Sequence, residues 1–261
     1  MSIPPVVVKD AATVLLLRPA RDAQGVEVFM QVRASSMAFA AGAAVFPGGS
    51  VDASDREGTE AWGAIAGADR LGLDPSDAAE RALAGAVVSA ALRETFEECG
   101  VLLAEGGNGA VAPGDRDDLA AHRVGLASLL GERNLAPSLG ALTCVDRWIT
   151  PEGEPRRYDT RFFAAVLPEG QEADDATTET ARSFWVRPAE ALEQFAQGTL
   201  ALMPPTWAQL DRLAQASTLA EALAPAVAEV TVPVLEHTDG TVLAHFWGTE
   251  AYRKAGKPQH S

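Results

Sequence analysis

The sequence has few of the residues that build disulfide frameworks or zinc sites. Its 261 residues include two cysteines, Cys99 and Cys144, and neither belongs to a Cys-x-x-Cys pair. The four histidines are scattered along the chain, without the close spacing of zinc ligands. Because the absence of a disulfide framework is typical of a reducing compartment, we expect a cytoplasmic protein.

Positive charge and long apolar runs are also scarce. The chain has 21 Lys+Arg against 36 Asp+Glu, a net charge of −15. This balance disfavours general binding to nucleic acids or anionic membranes. The nearly apolar run Ala82–Leu92 is far shorter than the ~20 residues that span a bilayer, and no signal-peptide pattern opens the sequence. A small polyanion would need metal ions or a local arginine cluster in order to bind.

Strand and helix patterns interleave, which predicts an α/β layered fold in a single domain over residues 1–261. A strong helical pattern begins at Pro75 or Asp77 and ends at Cys99, with Gly100 as the expected left-handed C-cap. Strands are expected at Ala12–Leu17, Val26–Val32, Ala141–Thr150, Arg161–Leu167, Ser183–Val186, Val230–Leu235 and Thr241–Phe246. Helices are expected at Leu119–Leu130, Pro188–Gln197, Thr206–Ala214 and Leu219–Ala224, with Thr206 as an N-cap.

The end of the long helix carries an unusual group of carboxylates. At about 100° per residue, Glu94, Glu97 and Glu98 share one helix face, where like charges repel. No lysine or arginine follows to pair with them. Such a face becomes favourable when it binds Mg²⁺ or Mn²⁺, which prefer carboxylate oxygens. For an isolated helix, a solvated acidic face would be the better interpretation.

A glycine pair upstream changes that balance. Phe46-Pro47-Gly48-Gly49 follows a predicted strand, and adjacent glycines let the backbone approach another chain segment or a ligand closely. Taken alone, the pair predicts only a turn.

Together the two segments resemble the box of the Nudix family, which reads Gly, five residues, Glu, seven residues, Arg-Glu-x-x-Glu-Glu-x-Gly and an aliphatic residue. The second half matches at Arg93, Glu94, Glu97, Glu98, Gly100 and Val101, with Thr95 where an aliphatic residue is usual. Counting from Gly49 places Asp55 at the position of the first Glu, although a turn-forming role explains Asp55 equally well. About 30 residues, 56–85, are inserted within the box.

The interrupted box resembles the branch of the peroxisomal coenzyme A diphosphatase. The resemblance implies a Nudix fold, an α/β/α sandwich with a mixed sheet, plus an inserted helical segment and a C-terminal helical extension. It also implies a small-molecule nucleotide-type substrate, and the family is often dimeric, which leaves a homodimer open.

A second similarity lies just before the box. Coenzyme A-hydrolysing Nudix proteins carry Leu-Leu-Thr-x-Arg-Ser/Ala, three residues, Arg, three residues, Gly, three residues and Phe-Pro-Gly-Gly. Arg33 and Gly42 fall in register with this pattern, whereas Phe29-Met30-Gln31 replaces its opening and Ala38 replaces its second arginine. Arg33 is thus a candidate substrate ligand, or else a strand-end surface residue. Ala38 leaves ADP-ribose or NADH open as the substrate.

The resemblance implies Mg²⁺-dependent hydrolysis of a diphosphate, with Mn²⁺ as a substitute. Glu94, Glu97 and Glu98 would bind the metal, and Arg93 would hold Glu94 through an ion pair. The backbone of Gly48 and Gly49 would complete the site.

The base that activates water has two sources within the family. One is Glu94, and the other is a carboxylate of a late loop, which here spans Glu172–Glu179. Its candidates are Asp174, Asp175 and Glu179, although for any one of the three a solvated acidic loop is the better interpretation.

A cluster of arginines stands out in this acidic chain. Arg156, Arg157 and Arg161 lie near Tyr158, and guanidinium groups suit phosphate oxygens while a ring can stack on a base. We expect one or two of them to hold substrate phosphates. The alternative is a hairpin in which they pair with nearby carboxylates, namely Glu152, Glu154 or Asp159.

A Nudix-fold sensor that binds nucleotides without cleaving them is the rival from another functional class. The intact set of Arg93, Glu94, Glu97 and Glu98 speaks against it, because a sensor need not retain metal ligands.

Overall fold

The computed structural model describes residues 6–22, 25–34, 42–106, 111–174, 180–225, 230–238 and 241–256. The strands are β1 (Val8–Pro19), β2 (Val26–Arg33), β3 (Ala43–Val45), β4 (Gly48–Ser50), β5 (Ala104–Gly106), β6 (Leu135–Pro137), β7 (Thr143–Ile149), β8 (Arg157–Val166), β9 (Thr180–Val186), β10 (Ala201–Leu202), β11 (Val234–Thr238) and β12 (Thr241–His245). The α-helices are α1 (Glu60–Ala66), α2 (Ala78–Cys99), α3 (Asp115–Ala120), α4 (Leu126–Glu132), α5 (Pro188–Ala196), α6 (Pro204–Ala214), α7 (Leu219–Ala222) and α8 (Thr249–Ala255).

Eight of the strands form one mixed sheet. Its order is β10-β3-β2-β1-β8-β7, with β4 paired to β1 and β9 paired to β2. The long central pair β1 and β8 is parallel, whereas β1 pairs antiparallel with β2 and β4. Two small antiparallel pairs, β5–β6 and β11–β12, lie outside this sheet.

Helices cover both faces of the sheet. Alternate residues of β1 point to opposite faces and are therefore buried on both sides. Ala12, Val14 and Leu16 belong to the core beneath α2. Leu15 and Leu17 belong to a second core with residues of α5, α6 and α7. The predicted α/β/α sandwich with a mixed sheet is confirmed.

Helix α2 is the central helix of the site, and both of its ends follow the prediction. The Asp77 side chain accepts hydrogen bonds from the backbone N–H groups of Ala79 and Glu80. Gly100 ends the helix at φ 72°, and its N–H donates to the carbonyl of Phe96. Residues 84–93 are buried on every side of the helix, which explains their nearly uniform apolar sequence.

The residues inserted within the box form short helices that pack on α2. They comprise 3₁₀ turns at Ser54–Arg56 and Ala68–Leu71, on either side of α1. The contact is close: a Cβ at Gly85 of α2 would lie 2.0 Å from the carbonyl oxygen of Thr59. The prediction of a helical insertion is therefore confirmed.

Two predictions for the helices were wrong. The expected single helix Leu119–Leu130 is split into α3 and α4, because His122 adopts a left-handed φ of 53° that interrupts the helix. Thr206 is not an N-cap, since α6 begins earlier, at Pro204, after Met203. The prolines fit this first turn because its N–H groups need no intrahelical partner.

The C-terminal residues also form structured elements: β11 and β12 pair as a hairpin, and α8 follows. Tyr252 of α8 stacks on Phe195 of α5 and donates a hydrogen bond to the carbonyl of Leu202. Within the described residues, no helix has the length and apolar character needed to cross a membrane.

Candidate active site

The site is built around Arg93, which is 2% exposed. Its Nη1 donates to Glu94 Oε1 at 2.8 Å and to Glu97 Oε2 at 3.0 Å. Its Nη2 donates to Asp55 Oδ2 at 2.9 Å and to the carbonyl of Ser50 at 3.0 Å. Burial alone would lower the pKa of Arg93, but these carboxylates raise it above its usual value. The rigid guanidinium fork thus fixes three carboxylates at once.

Asp55 lies where counting from Gly49 places the first carboxylate of the box. The insertion separates it from Arg93 by 38 positions. It is 1% exposed and accepts hydrogen bonds from the Ser89 hydroxyl and the backbone N–H of Asp52. Asp55 therefore stabilises its own turn and also pairs with Arg93, so that the two interpretations of this residue are compatible. Through this pair the start of the insertion is fixed to α2.

The two glycines of β4 lie between β1 and the carboxylates of α2. The N–H of Gly48 donates to Glu98 Oε2 at 3.0 Å. A Cβ at Gly48 would lie 2.4 Å from the carbonyl of Ala12, and a Cβ at Gly49 would lie 2.2 Å from Glu94 Oε1. Both positions therefore require glycine, because any side chain would displace strand β1 or the Glu94 carboxylate.

The carboxylates hold more negative charge than Arg93 neutralises. The Glu94 and Glu97 side chains are only 13% and 11% exposed. Burial, reinforced by the charges of Glu97 and Asp55 and opposed by Arg93, raises the pKa of Glu94 to about 7. Burial likewise raises the pKa of Glu97. Among the described residues, Glu97 Oε1 is buried and has no hydrogen-bond donor. A cation would relieve both the charge and the unpaired oxygen.

The residues fit a hard divalent cation by their chemistry. Carboxylate oxygens and a nearby glycine backbone are donors that Mg²⁺ accepts, and Mg²⁺ usually keeps several water ligands. In the described part of the chain, no three His, Cys, Asp or Glu side chains are already grouped as a metal cage.

Arg116, which no sequence pattern singles out, links the end of α2 to a loop that follows β8. Its Nε donates to the carbonyl of Glu97 at 3.0 Å, and its Nη1 donates to Asp174 Oδ1 at 2.7 Å. The N–H of Asp174 donates in turn to the carbonyl of Cys99. Cations commonly bind the last carbonyls of a helix, but this arginine belongs to the next helix, α3, 19 residues after Glu97. Asp175 and Glu179 lie outside the described residues.

The predicted phosphate-binding arginines have different environments. Arg33 ends β2, and its Nε is buried without a hydrogen-bond partner among the described residues. Arg157 begins β8 and donates through Nε to the carbonyl of Thr150. Ala38 lies outside the described residues.

The expectation that Arg161 holds a substrate phosphate is corrected by its burial. Its side chain is 1% exposed and pairs with Asp10 at 2.6 Å and with Asp159 at 3.3 Å. Its Nε donates to the carbonyl of Leu71 in the insertion. With two carboxylate partners and almost no exposed surface, the guanidinium of Arg161 stabilises the fold, in agreement with the alternative of pairing to Asp159.

Comparison with known proteins identifies the family to which this chain is similar. A family model described as the NUDT19 Nudix domain matches residues 7–213. The acyl-coenzyme A diphosphatase NUDT19 of Homo sapiens is 30% identical over 239 residues, which cover 76% of this chain and 63% of that protein. Its counterpart in Gallus gallus is 32% identical over 237 residues, covering 74% and 62%. The chain thus spans less than two thirds of the length of these relatives.

A solved structure supports the same relationship. The crystal structure of a NUDIX hydrolase from Alicyclobacillus acidocaldarius aligns with a TM-score of 0.69 and 29% identity, covering 85% of this chain and 98% of that one. The resemblance of the interrupted box to the branch of the coenzyme A diphosphatase is confirmed. The chain therefore belongs to the Nudix family, in the group that the NUDT19 Nudix domain defines.

Proposed function

We propose that this chain is a Mg²⁺-dependent hydrolase of a diphosphate bond, with coenzyme A or an acyl-coenzyme A as its substrate. The observation that carries the proposal is the buried group of Arg93, Asp55, Glu94 and Glu97, in which Glu97 Oε1 has no hydrogen-bond donor among the described residues. The substrate class is supported by the relatives named as acyl-coenzyme A diphosphatases.

Glu94, Glu97 and Glu98 would hold Mg²⁺, for which Mn²⁺ would substitute. When bound, the ion would neutralise the diphosphate and stabilise the charge that develops as the bridging phosphoanhydride bond breaks. The N–H of Gly48 keeps Glu98 in place, and the missing Cβ of Gly49 leaves room for the Glu94 carboxylate.

Arg93 acts as a positioning residue in this scheme. Its Nη1 bridges Glu94 and Glu97, while Asp55 holds the other side of the guanidinium. The carboxylates are thereby held at fixed distances from one another before any ligand binds, which reduces the reorganisation needed in the reaction.

The reaction is a displacement at phosphorus by water. The water oxygen bonds to one phosphorus, the bridging P–O bond breaks, and the water proton passes to a carboxylate base. Glu94 and a carboxylate of the Glu172–Glu179 loop, such as Glu179, are the candidates for that base, and Arg33 is a candidate for binding the remaining phosphate oxygens. With coenzyme A the products would be 3′,5′-ADP and phosphopantetheine.

A substrate panel tests the proposal. The purified protein is incubated with Mg²⁺ and coenzyme A, acetyl-coenzyme A, ADP-ribose, NADH or a diadenosine polyphosphate, and the products are separated by chromatography. Glu98→Gln removes one proposed ligand charge, and the exposed Glu250→Gln is the matched control. We expect cleavage of a coenzyme A compound by the wild type and the control, with at least a hundredfold loss in Glu98→Gln.

Other outcomes are equally informative. Cleavage of ADP-ribose or NADH alone would retain the hydrolase and replace the substrate class, as Ala38 allows. Tight binding of one compound without cleavage would refute the enzyme and favour a nucleotide sensor. Full activity of Glu98→Gln with unchanged Mg²⁺ dependence would refute the proposed metal ligands.

A further inference from the structure

A cavity of about 400 Å³ opens where β1 and β8 begin, away from the carboxylates of α2. The parallel pairing of these strands places Lys9 beside Tyr158 and Val8 beside Arg157. Arg156 completes the group of basic residues that line the cavity. The sequence separates Lys9 from the two arginines by almost 150 positions, so that only the fold brings them together.

The charge of this cavity is opposite to that of the whole molecule. Lys9, Arg156 and Arg157 line it, and none of the described residues that line it is acidic. Within the described part of the chain, none of these three cations takes part in an ion pair. The chain has a net charge of −15 and only three lysines. Three cations without carboxylate partners at one opening therefore form a local positive potential that attracts anions.

The nearest carboxylates of the two strands have other partners. Asp159 pairs with Arg147 at 2.6 Å, and Asp10 pairs with Arg161 at 2.6 Å. These ion pairs neutralise two of the acidic residues that would otherwise reduce the cavity's positive charge. These two ion pairs lie between the cavity and Gly49, because Asp10 and Asp159 directly follow Lys9 and Tyr158 along β1 and β8. Arg161 also donates a hydrogen bond to the carbonyl of Leu71 in the insertion.

Apolar surface adjoins the cations. Val6 and Val7 line the cavity and are 39% and 78% exposed, and the ring of Tyr158 forms another part of the wall. A ligand that carries a compact anion next to a flat or apolar group therefore fits better than a free inorganic ion. A phosphate on a nucleoside has this combination.

The cavity is separate from the position of the scissile diphosphate. Lys9 precedes Ala12 by three residues, and Ala12 pairs with Gly49, so that the two sites are at least about 10 Å apart along β1. Lys9 also alternates to the face of β1 opposite Ala12. A single diphosphate cannot occupy both sites.

We propose that the cavity formed by Lys9, Arg156, Arg157 and Tyr158 binds a phosphate monoester carried by a nucleoside. The phosphate belongs either to a remote part of the substrate, in which case the inference rests on the proposed function, or to a separate nucleotide. The guanidinium forks of Arg156 and Arg157 suit two phosphate oxygens, and Lys9 contributes a third positive charge.

Calorimetry with adenosine 3′,5′-bisphosphate tests the binding. The titration is done at low ionic strength and without metal, where the acidic cluster of α2 repels phosphate. The double variant Lys9→Ala/Arg156→Ala removes two exposed cations, and Arg21→Ala/Lys254→Ala removes two exposed cations elsewhere as the matched control. We expect at least tenfold weaker binding in the first variant, wild-type affinity in the control, and much weaker wild-type binding of adenosine.

Kinetics then distinguish the two sources of the phosphate. If it belongs to the substrate, Lys9→Ala/Arg156→Ala raises KM for coenzyme A but not for coenzyme A that lacks its 3′-phosphate. If it belongs to a separate nucleotide, both KM values match the wild type although the binding of the bisphosphate is lost.

The inference is overturned if the wild type does not bind the bisphosphate, or if the double variant binds it as tightly as the control does. An absence of turnover would refute the proposed function alone, because calorimetry needs no reaction. Both substitutions are at exposed positions, so the variants should unfold at the wild-type temperature, which a melting curve verifies.

Discussion

Gly49 shows how closely the site depends on single residues. The Glu94 carboxylate occupies the space in which a side chain at position 49 would begin, with 2.2 Å between Oε1 and the position of a Cβ. Glu94 is at the same time held by Arg93. Position 49 thus controls where the proposed metal-binding carboxylate of Glu94 lies, because glycine has no Cβ there.

We predict that Gly49→Ala lowers kcat/KM at least tenfold, because the methyl group pushes Glu94 away from Arg93 and from the proposed metal. The control is Gly131→Ala in α4, where an added Cβ has no neighbour within 4 Å from other described parts of the chain. That substitution should be neutral or stabilise the helix by up to about 1 kcal/mol. Equal activity of the two variants, measured with the hydrolysed substrate, would contradict this account of Gly49.

Asp55 is the second residue on which we expect both the stability of the fold and the position of Glu94 to depend. Asp55→Asn leaves Arg93 with one charged partner fewer in a buried site, and we predict a loss of about 3 kcal/mol in the free energy of unfolding. Because Arg93 then holds Glu94 less firmly, kcat should fall while KM is unchanged. Urea denaturation and steady-state kinetics measure both effects, with the exposed Asp69→Asn as control. A variant that loses stability but keeps kcat would mean that Asp55 only stabilises the fold.

At the scale of elements, α2 connects the insertion to the site. The insertion lies between two halves of one motif, yet its short helices pack back onto α2 and return the chain to Arg93. This packing depends on the close approach of Gly85 to the carbonyl of Thr59, which itself lies four residues after Asp55. The insertion is thus held against the helix that carries the carboxylates.

We predict that Gly85→Ala destabilises the protein by about 1–3 kcal/mol, because the added methyl group separates α1 from α2 in a well-packed contact. Elsewhere in a helix the same change would be mildly stabilising. Urea denaturation of Gly85→Ala and of the Gly131→Ala control measures the difference. An increase in stability for both variants would show that α1 does not pack this closely on α2.

The sequence predicted those elements whose ends are set locally. The side chain of Asp77 and the left-handed Gly100 define α2, and both roles follow from residue type alone. The break at His122 could not be predicted, because a left-handed histidine owes its conformation to its surroundings. The burial of Arg161 was likewise hidden, since its partner Asp10 lies 151 positions earlier in the chain.

In the candidate site, too, the sequence predicted the residues that have a regular spacing and missed those that only the fold brings together. Spacing along one helix identified Glu94, Glu97 and Glu98, and a known pattern related Asp55 to Arg93 across 30 inserted residues. Arg116 has no such spacing, because it reaches the end of α2 from α3. The cavity at Lys9 joins two strands that are distant in sequence, and only their parallel register reveals it.

At the scale of the whole molecule, the charge distribution supports one division of roles. The chain is strongly acidic, and a buried acidic group surrounds Arg93 with more carboxylates than one cation neutralises. The basic side chains of Lys9, Arg156 and Arg157, which form no ion pair within the described residues, lie elsewhere. A cation site and an anion site at two places on the sheet would let the protein bind both a metal ion and a nucleotide.

The binding of Mn²⁺, followed by electron paramagnetic resonance, tests the central claim that the carboxylates around Arg93 form a metal centre. The wild type is compared with Glu97→Gln, which alters the carboxylate whose Oε1 lacks a donor among the described residues, and with Glu250→Gln as control. The account predicts a Mn²⁺ site that Mg²⁺ competes for, with at least tenfold weaker binding in Glu97→Gln alone. Equal binding by all three proteins, or no binding by the wild type, would contradict it.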